Sequence, residues 1–296
     1  MNGLKDTYAR LKPHPRERFK LLLGSVLHRR ATKRWVAFVR GSAFLWQKIE
    51  HSPKLLTRIY RPYGFEPLNC RERVDVLLNH YATLNEKGLT SLLDLSLDKP
   101  LLLSEVASKS AHPMRLSLVS LAEGHREGEM SLLLEWENRV VFTVSFLLTS
   151  TAQNFDLIIT RLHGNRDPDA RDVIRQATKA FYGLRPGVLI THAARQFACL
   201  LGCQRVLLVS NRQRVALNPI RRRQIKTDLN AFWRELGAQE DRSGFFSISP
   251  EVVLTQDFSD VPSNKRADAK RKVALTEAIF SSMQTRISMC LQATSA

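Results

Sequence analysis

The chain has 296 residues, of which 44% are hydrophobic and 25% are charged, and this composition is typical of a globular protein. Its formal net charge of +17 is unusual and indicates an acidic partner: nucleic acid, an anionic membrane face or a phosphorylated ligand. Four scattered cysteines exclude a disulfide framework, no apolar run approaches the length of a spanning helix, and the N-terminus lacks a secretory h-region. We therefore expect a cytoplasmic protein, with peripheral contact with the inner membrane left open.

The first 73 residues hold most of the positive charge, with seventeen Lys and Arg against five Asp and Glu. Apolar residues recur at helical spacing from Phe19 to Ile49, and prolines limit the runs, which predicts two or three short amphipathic helices. Basic helices with interleaved aromatic residues can lie on an anionic membrane. The alternative is a helical subdomain that packs its Trp and Phe side chains into the core.

A helix is predicted from Val74 to Asn85, and the leucine-rich run from Leu89 to Leu103 is interpreted as mixed helix and loop. From Met114 apolar and polar residues alternate. Strands over residues 116–120, 130–136, 140–148 and 155–162, with short connections, predict an antiparallel meander.

Later segments alternate between helical and strand patterns. Helices are predicted over 167–182, 188–201 and 228–236, strands over 205–210 and 245–248, and a C-terminal helix after residue 264. The predicted fold class is α+β: a basic helical region (1–110), a core with a mixed sheet flanked by helices (111–256), and a polar linker with a C-terminal helix (257–296).

The segment Val173–Thr227 contains eleven Lys and Arg and no Asp or Glu over fifty-five residues. A folded segment with only positive charges attracts anions, so we expect it to bind a polyanionic or phosphorylated partner. Backbone N–H groups just ahead of the helix at Val188 could also reach a phosphate. Candidate phosphate ligands are Thr178, Lys179, Arg185, Gly187 and Asn211, and the basic loop adds the anion-binding candidates Arg212, Arg214, Arg221, Arg222 and Arg223. The alternative is that these residues cap helices and stay solvated.

Three residues are candidates for acid–base chemistry. His163, at the end of a strand, could act as a general base, and Glu135 could abstract a proton from the second meander strand. Tyr182 could donate a proton to a leaving thiolate, although a half-buried helix-ending Tyr is the ordinary interpretation. The chain has no P-loop, G-x-S-x-G or H-E-x-x-H motif, and its cysteines lack the partners of a zinc site, so no metal is expected.

Several pieces together resemble the VirK/YbjX family. They are Leu162-His-Gly164, Ala177-Thr-Lys-Ala-Phe-Tyr-Gly-Leu-Arg-Pro186, Asp228-Leu-Asn-Ala-Phe-Trp-Arg-Glu-Leu-Gly237 and Ser263-Asn-Lys-Arg-Ala267, and in order and spacing the resemblance covers about residues 60 to 285. It implies a Gram-negative cytoplasmic protein associated with virulence and cell-envelope stress, including tolerance of cationic antimicrobial peptides. It implies no known reaction.

The order of meander, helix, strand, short helix and closing strand also looks like an acetyltransferase of the GNAT superfamily. In that superfamily the fourth strand leads into a loop and helix whose backbone amides hold the acyl-CoA pyrophosphate, and Arg185-Pro-Gly187 could be a degenerate form of that loop. The chain departs from the pattern in two ways: the spaced glycines are missing, and the helix from Pro168 to Phe181 is interposed between strand and loop.

Three functional hypotheses follow. The first is a GNAT-like protein of envelope adaptation, either an acyltransferase that uses acyl-CoA or a binder that has lost catalysis. The second is a non-enzymatic adaptor that binds the anionic inner leaflet through its basic N-terminal helices. The third is a nucleic-acid-binding protein, which the charge alone supports, since no helix-turn-helix signature is present.

Overall fold

The computed structural model describes residues 2–121, 126–165, 167–215 and 227–292. Its N-terminal part is helical, and the helices up to residue 95 are α1 (Asn2–Arg10), α2 (Pro15–Leu27), α3 (Arg29–Gly41), α4 (Ala43–Lys48), α5 (Lys54–Thr57), a 3-10 turn (Arg58–Tyr60), α6 (Cys70–Glu86) and α7 (Thr90–Leu95). The two or three short helices that the sequence predicts between Phe19 and Ile49 correspond to α2, α3 and α4. Pro53 lies directly before α5, and a capping box at Asn69 and Glu72 starts α6.

The described residues form an eight-stranded sheet in the order β1-β2-β3-β4-β5-β6-β8-β7. Its strands are β1 (Leu101–Val106), β2 (Met114–Ser120), β3 (Met130–Trp136), β4 (Arg139–Ser150), β5 (Phe155–Gly164), β6 (Arg205–Leu208), β7 (Gln239–Glu240) and β8 (Phe246–Ile248). All neighbouring strands are antiparallel except β5 and β6, which are parallel. The predicted meander is confirmed as β2 to β5.

Helices α8 (Ala170–Ala180) and α9 (Pro186–Leu200) connect β5 to β6. Helix α9 packs on β3, β4, β5 and β6, and the rings of Phe146 and Phe197 lie 5.4 Å apart between sheet and helix. Helix α10 (Leu229–Glu235) follows β6, and α11 (Ser263–Gln292) packs against the edge strand β1 and against α9. The protein is therefore α+β, with an N-terminal helical part and a mixed sheet flanked by helices, as the sequence predicts.

Strand β1 lies in the run that the sequence analysis interpreted as mixed helix and loop. Its pairing with β2 shifts register between Leu102 and Ser104, and its burial pattern breaks alternation at the same point. Since a bulge puts two residues opposite one, it hides the two-residue period by which a strand is recognised. The buried side chains, from Leu11 in the first region to Cys290 in the last, form a hydrophobic cluster that includes members of all three predicted regions.

Candidate anion-binding crevice at the open end of the parallel strands

The parallel pair β5–β6 creates an opening in the sheet. Its register runs from Asp156 with Arg205 to Ile159 with Leu208, and one further hydrogen bond joins the Val209 N–H to the Ile159 carbonyl. Strand β5 continues to Gly164, whereas the chain after β6 turns away at Ser210–Gln213. The carboxyl ends of the two strands therefore diverge. In open α/β sheets such a crevice, where the chain leaves one strand and crosses to the next, is where ligands bind.

One face of the sheet at this end carries polar side chains. Paired residues share a face, so the pairs Ser131–Ser145, Ser145–Arg161 and Thr143–His163 place these side chains together across β3, β4 and β5. Ser131, Thr143 and Ser145 are buried, and the Ser131 hydroxyl donates to Ser145 at 2.8 Å. The opposite face is apolar and packs on α9. The polar face thus leads towards β5 and the crevice.

Arg161, Glu127 and Arg214 form a charged cluster beside the crevice, which we call the crevice cluster. Arg161 Nη1 donates to Glu127 Oε2 at 2.9 Å, and both side chains are largely buried, with 16% and 19% exposed. Arg214 Nη1 donates to the Thr227 carbonyl at 2.8 Å. Burial lowers the pKa of Arg214, and the Arg161 charge lowers it further. Two guanidinium groups, which are the side-chain groups that best bind phosphate, therefore lie within electrostatic range of each other and of Glu127 beside the crevice.

Four of the phosphate ligands predicted from the sequence are not part of the crevice cluster: Thr178, Lys179, Arg185 and Gly187. The Thr178 hydroxyl donates to the Ile174 carbonyl of its own helix at 2.7 Å, and Lys179 is exposed on α8. Arg185 forms an ion pair with Glu235 on α10. A Cβ on Gly187 would lie 3.2 Å from the Phe142 ring, so this glycine permits close packing of α9 on the sheet. The acid-free segment is thus neutralised partly by acids from other segments, which sequence proximity does not reveal.

Asn211 is occupied by helix α10. Its Nδ2 donates to Asp228 at 2.7 Å, its Oδ1 accepts the Leu229 N–H at 2.9 Å, and its own N–H donates to Asn230 at 2.7 Å. These bonds hold the start of α10 against the end of β6. Arg212 is exposed, and Arg221, Arg222 and Arg223 lie outside the described residues.

The three catalytic candidates, His163, Glu135 and Tyr182, lie at three separate places in the fold. His163 lies on the polar face of β5, and its Nδ1 is 2.9 Å from the Gly164 carbonyl. Because a carbonyl only accepts, Nδ1 donates the hydrogen in this bond. Glu135 shares this face but lies roughly 12 Å from His163 between Cα atoms, estimated from strand spacing. It lines a small surface cavity of about 110 Å³ at the β2–β3 end of the sheet. Tyr182 lies two residues after the end of α8, and the Arg271 guanidinium of α11 lies 5.8 Å from its ring centroid.

The sequence analysis did not identify Arg161 or Glu127. Arg161 and His163 are polar residues two apart at the end of the otherwise apolar β5, which is a recognisable signal. Glu127 gives no such signal in the sequence. It lies in the segment between β2 and β3 and meets Arg161 only in the folded protein. Among described residues, no group of three His, Cys, Asp or Glu side chains could hold a metal ion.

A second charged cluster lies between the helical part and the sheet, and we call it the core cluster. The Glu129 carboxylate accepts hydrogen bonds from Arg58, Tyr63 and Tyr81 and is fully enclosed. Burial alone would raise the pKa of Glu129, but the Arg58 charge and the hydroxyl donors hold it below its usual range. Burial lowers the pKa of the adjacent His80 to about 4. The sequence analysis identified none of these residues as functional.

Comparison with known proteins matches residues 12–285 to the family described as "Protein of unknown function (DUF535)". The chain is similar to YbjX of Escherichia coli K12, with 27% identity over 274 residues that cover 90% of this chain and 82% of the relative. It is also similar to an uncharacterised protein of Haemophilus influenzae, with 22% identity over 271 residues that cover 90% and 88% of the two chains. The predicted family resemblance is confirmed, and the chain belongs to the DUF535 family, whose members include the VirK/YbjX proteins.

Proposed function

We propose that this protein is an acyltransferase that takes an acyl group from a CoA thioester, with the phosphates of the donor bound at the crevice cluster. The observation that carries the proposal is the single parallel strand pair, β5–β6, which diverges beside Arg161 and Arg214. The strand order of a meander, a helical crossover, a short helix and a closing antiparallel strand also agrees with the order that the GNAT resemblance implies.

The residues present fit phosphate at one place and not at the other. The start of α9, where the GNAT resemblance puts the pyrophosphate, contains Arg185 paired with Glu235 and Gly187 packed on Phe142. The crevice cluster instead brings the guanidinium groups of Arg161 and Arg214 together beside the diverging strands, and guanidinium groups bind phosphate oxygens in a bidentate manner. We therefore assign the phosphates to Arg161 and Arg214 rather than to the first turn of α9.

A bound thioester would supply an activated acyl carbon. The chain's own contribution is His163, whose Nε2 can take the proton that an acceptor amine or hydroxyl loses during attack. The hydrogen bond from Nδ1 to the Gly164 carbonyl fixes the tautomer in which Nε2 is basic. In the cell we propose a role in envelope adaptation. This role rests on membership of the VirK/YbjX family and on the preference of the site for anionic ligands.

Calorimetric titration with CoA, acetyl-CoA and a long-chain acyl-CoA tests the proposal. We expect binding that weakens about tenfold or more in Arg161→Gln and in Arg214→Gln, because each removes a charge-assisted contact. Arg205→Gln is the matched control, since Arg205 is already paired with Asp156 at 2.6 Å at the other end of β6. No binding at millimolar ligand would overturn the proposal. Binding lost in Arg185→Ala but kept in Arg161→Gln would move the site to α9.

A further inference from the structure

Helix α2 turns apolar side chains outward into solvent. Five of its large hydrophobic residues are 49% to 72% exposed: Phe19, Leu22, Leu23, Val26 and Leu27. The other exposed large hydrophobic residues, Leu95, Leu102, Val253 and Met289, are scattered over other elements. Isolated exposed apolar residues are ordinary, but five on one helix form a patch of the kind that marks an interaction surface.

The patch is a continuous stripe on the helix. At about 100° per residue its five members fall within an arc of roughly 140° along 19–27. The buried side of α2 consists of Glu17, Leu21 and Gly24, and these lie on the opposite side of the helix. Helix α2 is therefore amphipathic, but its wider apolar stripe faces away from the protein.

The buried side of α2 is firmly attached, so the stripe stays outside. Glu17 accepts hydrogen bonds from Lys20 at 2.6 Å and Arg61 at 3.1 Å, and it also accepts one from Thr57. A Cβ on Gly24 would lie 2.1 Å from the ring of Tyr60, so only glycine allows α2 to approach the 3-10 turn this closely. Rotating the helix to bury the stripe would break these contacts.

Positive charge surrounds the stripe. Arg18 and Lys20 flank it on its two sides, Arg16 is exposed at its start, and Arg29 and Arg30 are exposed just after its end. Helices α2 and α3 together hold eight Lys and Arg and the single acid Glu17, which faces inward. An apolar stripe of about 13 Å with basic flanks is complementary to one partner above others: the surface of an anionic bilayer, whose headgroups pair with Lys and Arg while the apolar side chains enter the acyl boundary.

We propose that α2 docks this protein onto anionic membranes, lying in the plane of the interface with Phe19, Leu22, Leu23, Val26 and Leu27 inserted. No helix in the described part of the chain is long and apolar enough to cross a bilayer, so the attachment is peripheral. The inference is independent of the acyltransferase proposal, because it uses neither the crevice cluster nor the sheet. A protein that fails to bind CoA can still bind vesicles through α2.

Co-sedimentation of the full chain with vesicles tests the inference. We expect binding to equimolar phosphatidylcholine and phosphatidylglycerol vesicles, and much weaker binding to phosphatidylcholine alone. Leu23→Ser with Val26→Ser should reduce affinity roughly thirtyfold or more, because two apolar side chains no longer enter the interface. Arg16→Gln and Arg18→Gln should each reduce it about fivefold. Val253→Ser is the matched control, since Val253 is 89% exposed on a segment far from α2 in sequence.

A fluorescent reporter tests directly whether α2 enters the bilayer. Phe19→Trp should show a blue shift with the mixed vesicles and quenching by brominated lipid, and neither with phosphatidylcholine alone. Equal vesicle binding by the wild type and by the Leu23→Ser/Val26→Ser variant, both with unchanged thermal stability, would overturn the inference. A dimer in analytical ultracentrifugation that the same two substitutions dissociate, without vesicle binding, would overturn it too and assign the stripe to a second copy.

Discussion

The core cluster and the crevice cluster are built from the same parts but differ in charge balance and enclosure. In the core cluster, one glutamate meets one arginine and two tyrosine hydroxyls, and the Glu129 side chain is 0% exposed. In the crevice cluster, one glutamate meets Arg161 with Arg214 nearby, and the Glu127 side chain is 19% exposed. The first is fully enclosed, whereas the second is largely buried but borders solvent and contains two arginines.

This difference separates a structural tie from a binding site. A buried carboxylate with every oxygen satisfied has no capacity for another ligand, and removing one partner leaves an uncompensated charge. A guanidinium group that borders solvent beside a crevice can bind an anion without the removal of a buried partner. The core cluster joins the 3-10 turn and α6 of the helical part to the connection before β3, so we assign it to stability. The following predictions test that division.

The largest effect is expected for Glu129→Gln. The substitution leaves Arg58 charged and buried without a counter-ion, and breaking such a pair costs about 3–5 kcal/mol of unfolding free energy. Urea denaturation at pH 7 measures the loss. Arg58→Met in the Glu129→Gln background should recover part of it, since the unpaired charge is then gone. A loss below 1 kcal/mol for the single variant would contradict the structural assignment of the core cluster.

A smaller effect, on ligand affinity, is expected for the double variant Arg161→Gln/Arg214→Gln. Without both guanidinium groups, CoA affinity should fall about a hundredfold, because charge-assisted hydrogen bonds contribute roughly 1.5–3 kcal/mol each. The unfolding free energy should change far less than in Glu129→Gln, since both side chains border solvent. Calorimetry and urea denaturation on the same samples separate the two quantities. A loss of stability as large as that of Glu129→Gln would place the crevice cluster among the structural ties.

The pH dependence of stability provides a third test, through His80. Its Nδ1 accepts the Leu148 N–H at 3.0 Å, so a proton on Nδ1 would have to displace that donor. Burial lowers the pKa of His80 to about 4 from 6.5, despite the neighbouring Glu129 carboxylate, while the Arg58 charge lowers it further. Between pH 4 and pH 6.5, the unfolded chain therefore binds more protons at His80 than the folded protein does. Stability is complete above pH 6.5 and falls towards pH 4, by up to about 1.4 kcal/mol per pH unit.

His80→Asn should flatten this slope, because the Asn oxygen can still accept the Leu148 N–H but does not titrate. The stability that Glu129 contributes is lost only below pH 4.5, its usual pKa, as the pH falls through the lowered pKa of the folded state. The pH ranges in which His80 and Glu129 affect stability therefore differ. Urea denaturation of both proteins at several pH values from 7 to 4.5 measures the slopes. Parallel slopes would show that His80 is not kept neutral by the fold.

Much of the fold could be predicted from the sequence, whereas the site could be predicted only in part. The strands from Met114 to Gly164 alternate clearly, and α9 and α10 have clear end signals in Pro186 and Gly237. Arg161 and His163, the polar residues at the end of β5, could have been identified together as site candidates from the same alternation. Glu127 and Glu129 could not, because each acquires its role from partners more than thirty residues away. The direction of the α2 stripe could not be predicted either, since an apolar stripe usually faces the core.

The smallest effect is expected for Glu127→Gln, the same chemical change as in the core cluster. Because the Glu127 side chain is 19% exposed whereas that of Glu129 is fully enclosed, losing its ion pair with Arg161 should cost less unfolding free energy than Glu129→Gln does, about 1–2 kcal/mol. Removing this negative charge should strengthen anion binding severalfold, because the Glu127 carboxylate then no longer competes with the ligand for Arg161. Calorimetry with CoA and with inorganic phosphate measures the gain, and added salt should diminish it. Weaker binding in Glu127→Gln would mean that the carboxylate positions Arg161 for the ligand and does not compete with the ligand for it.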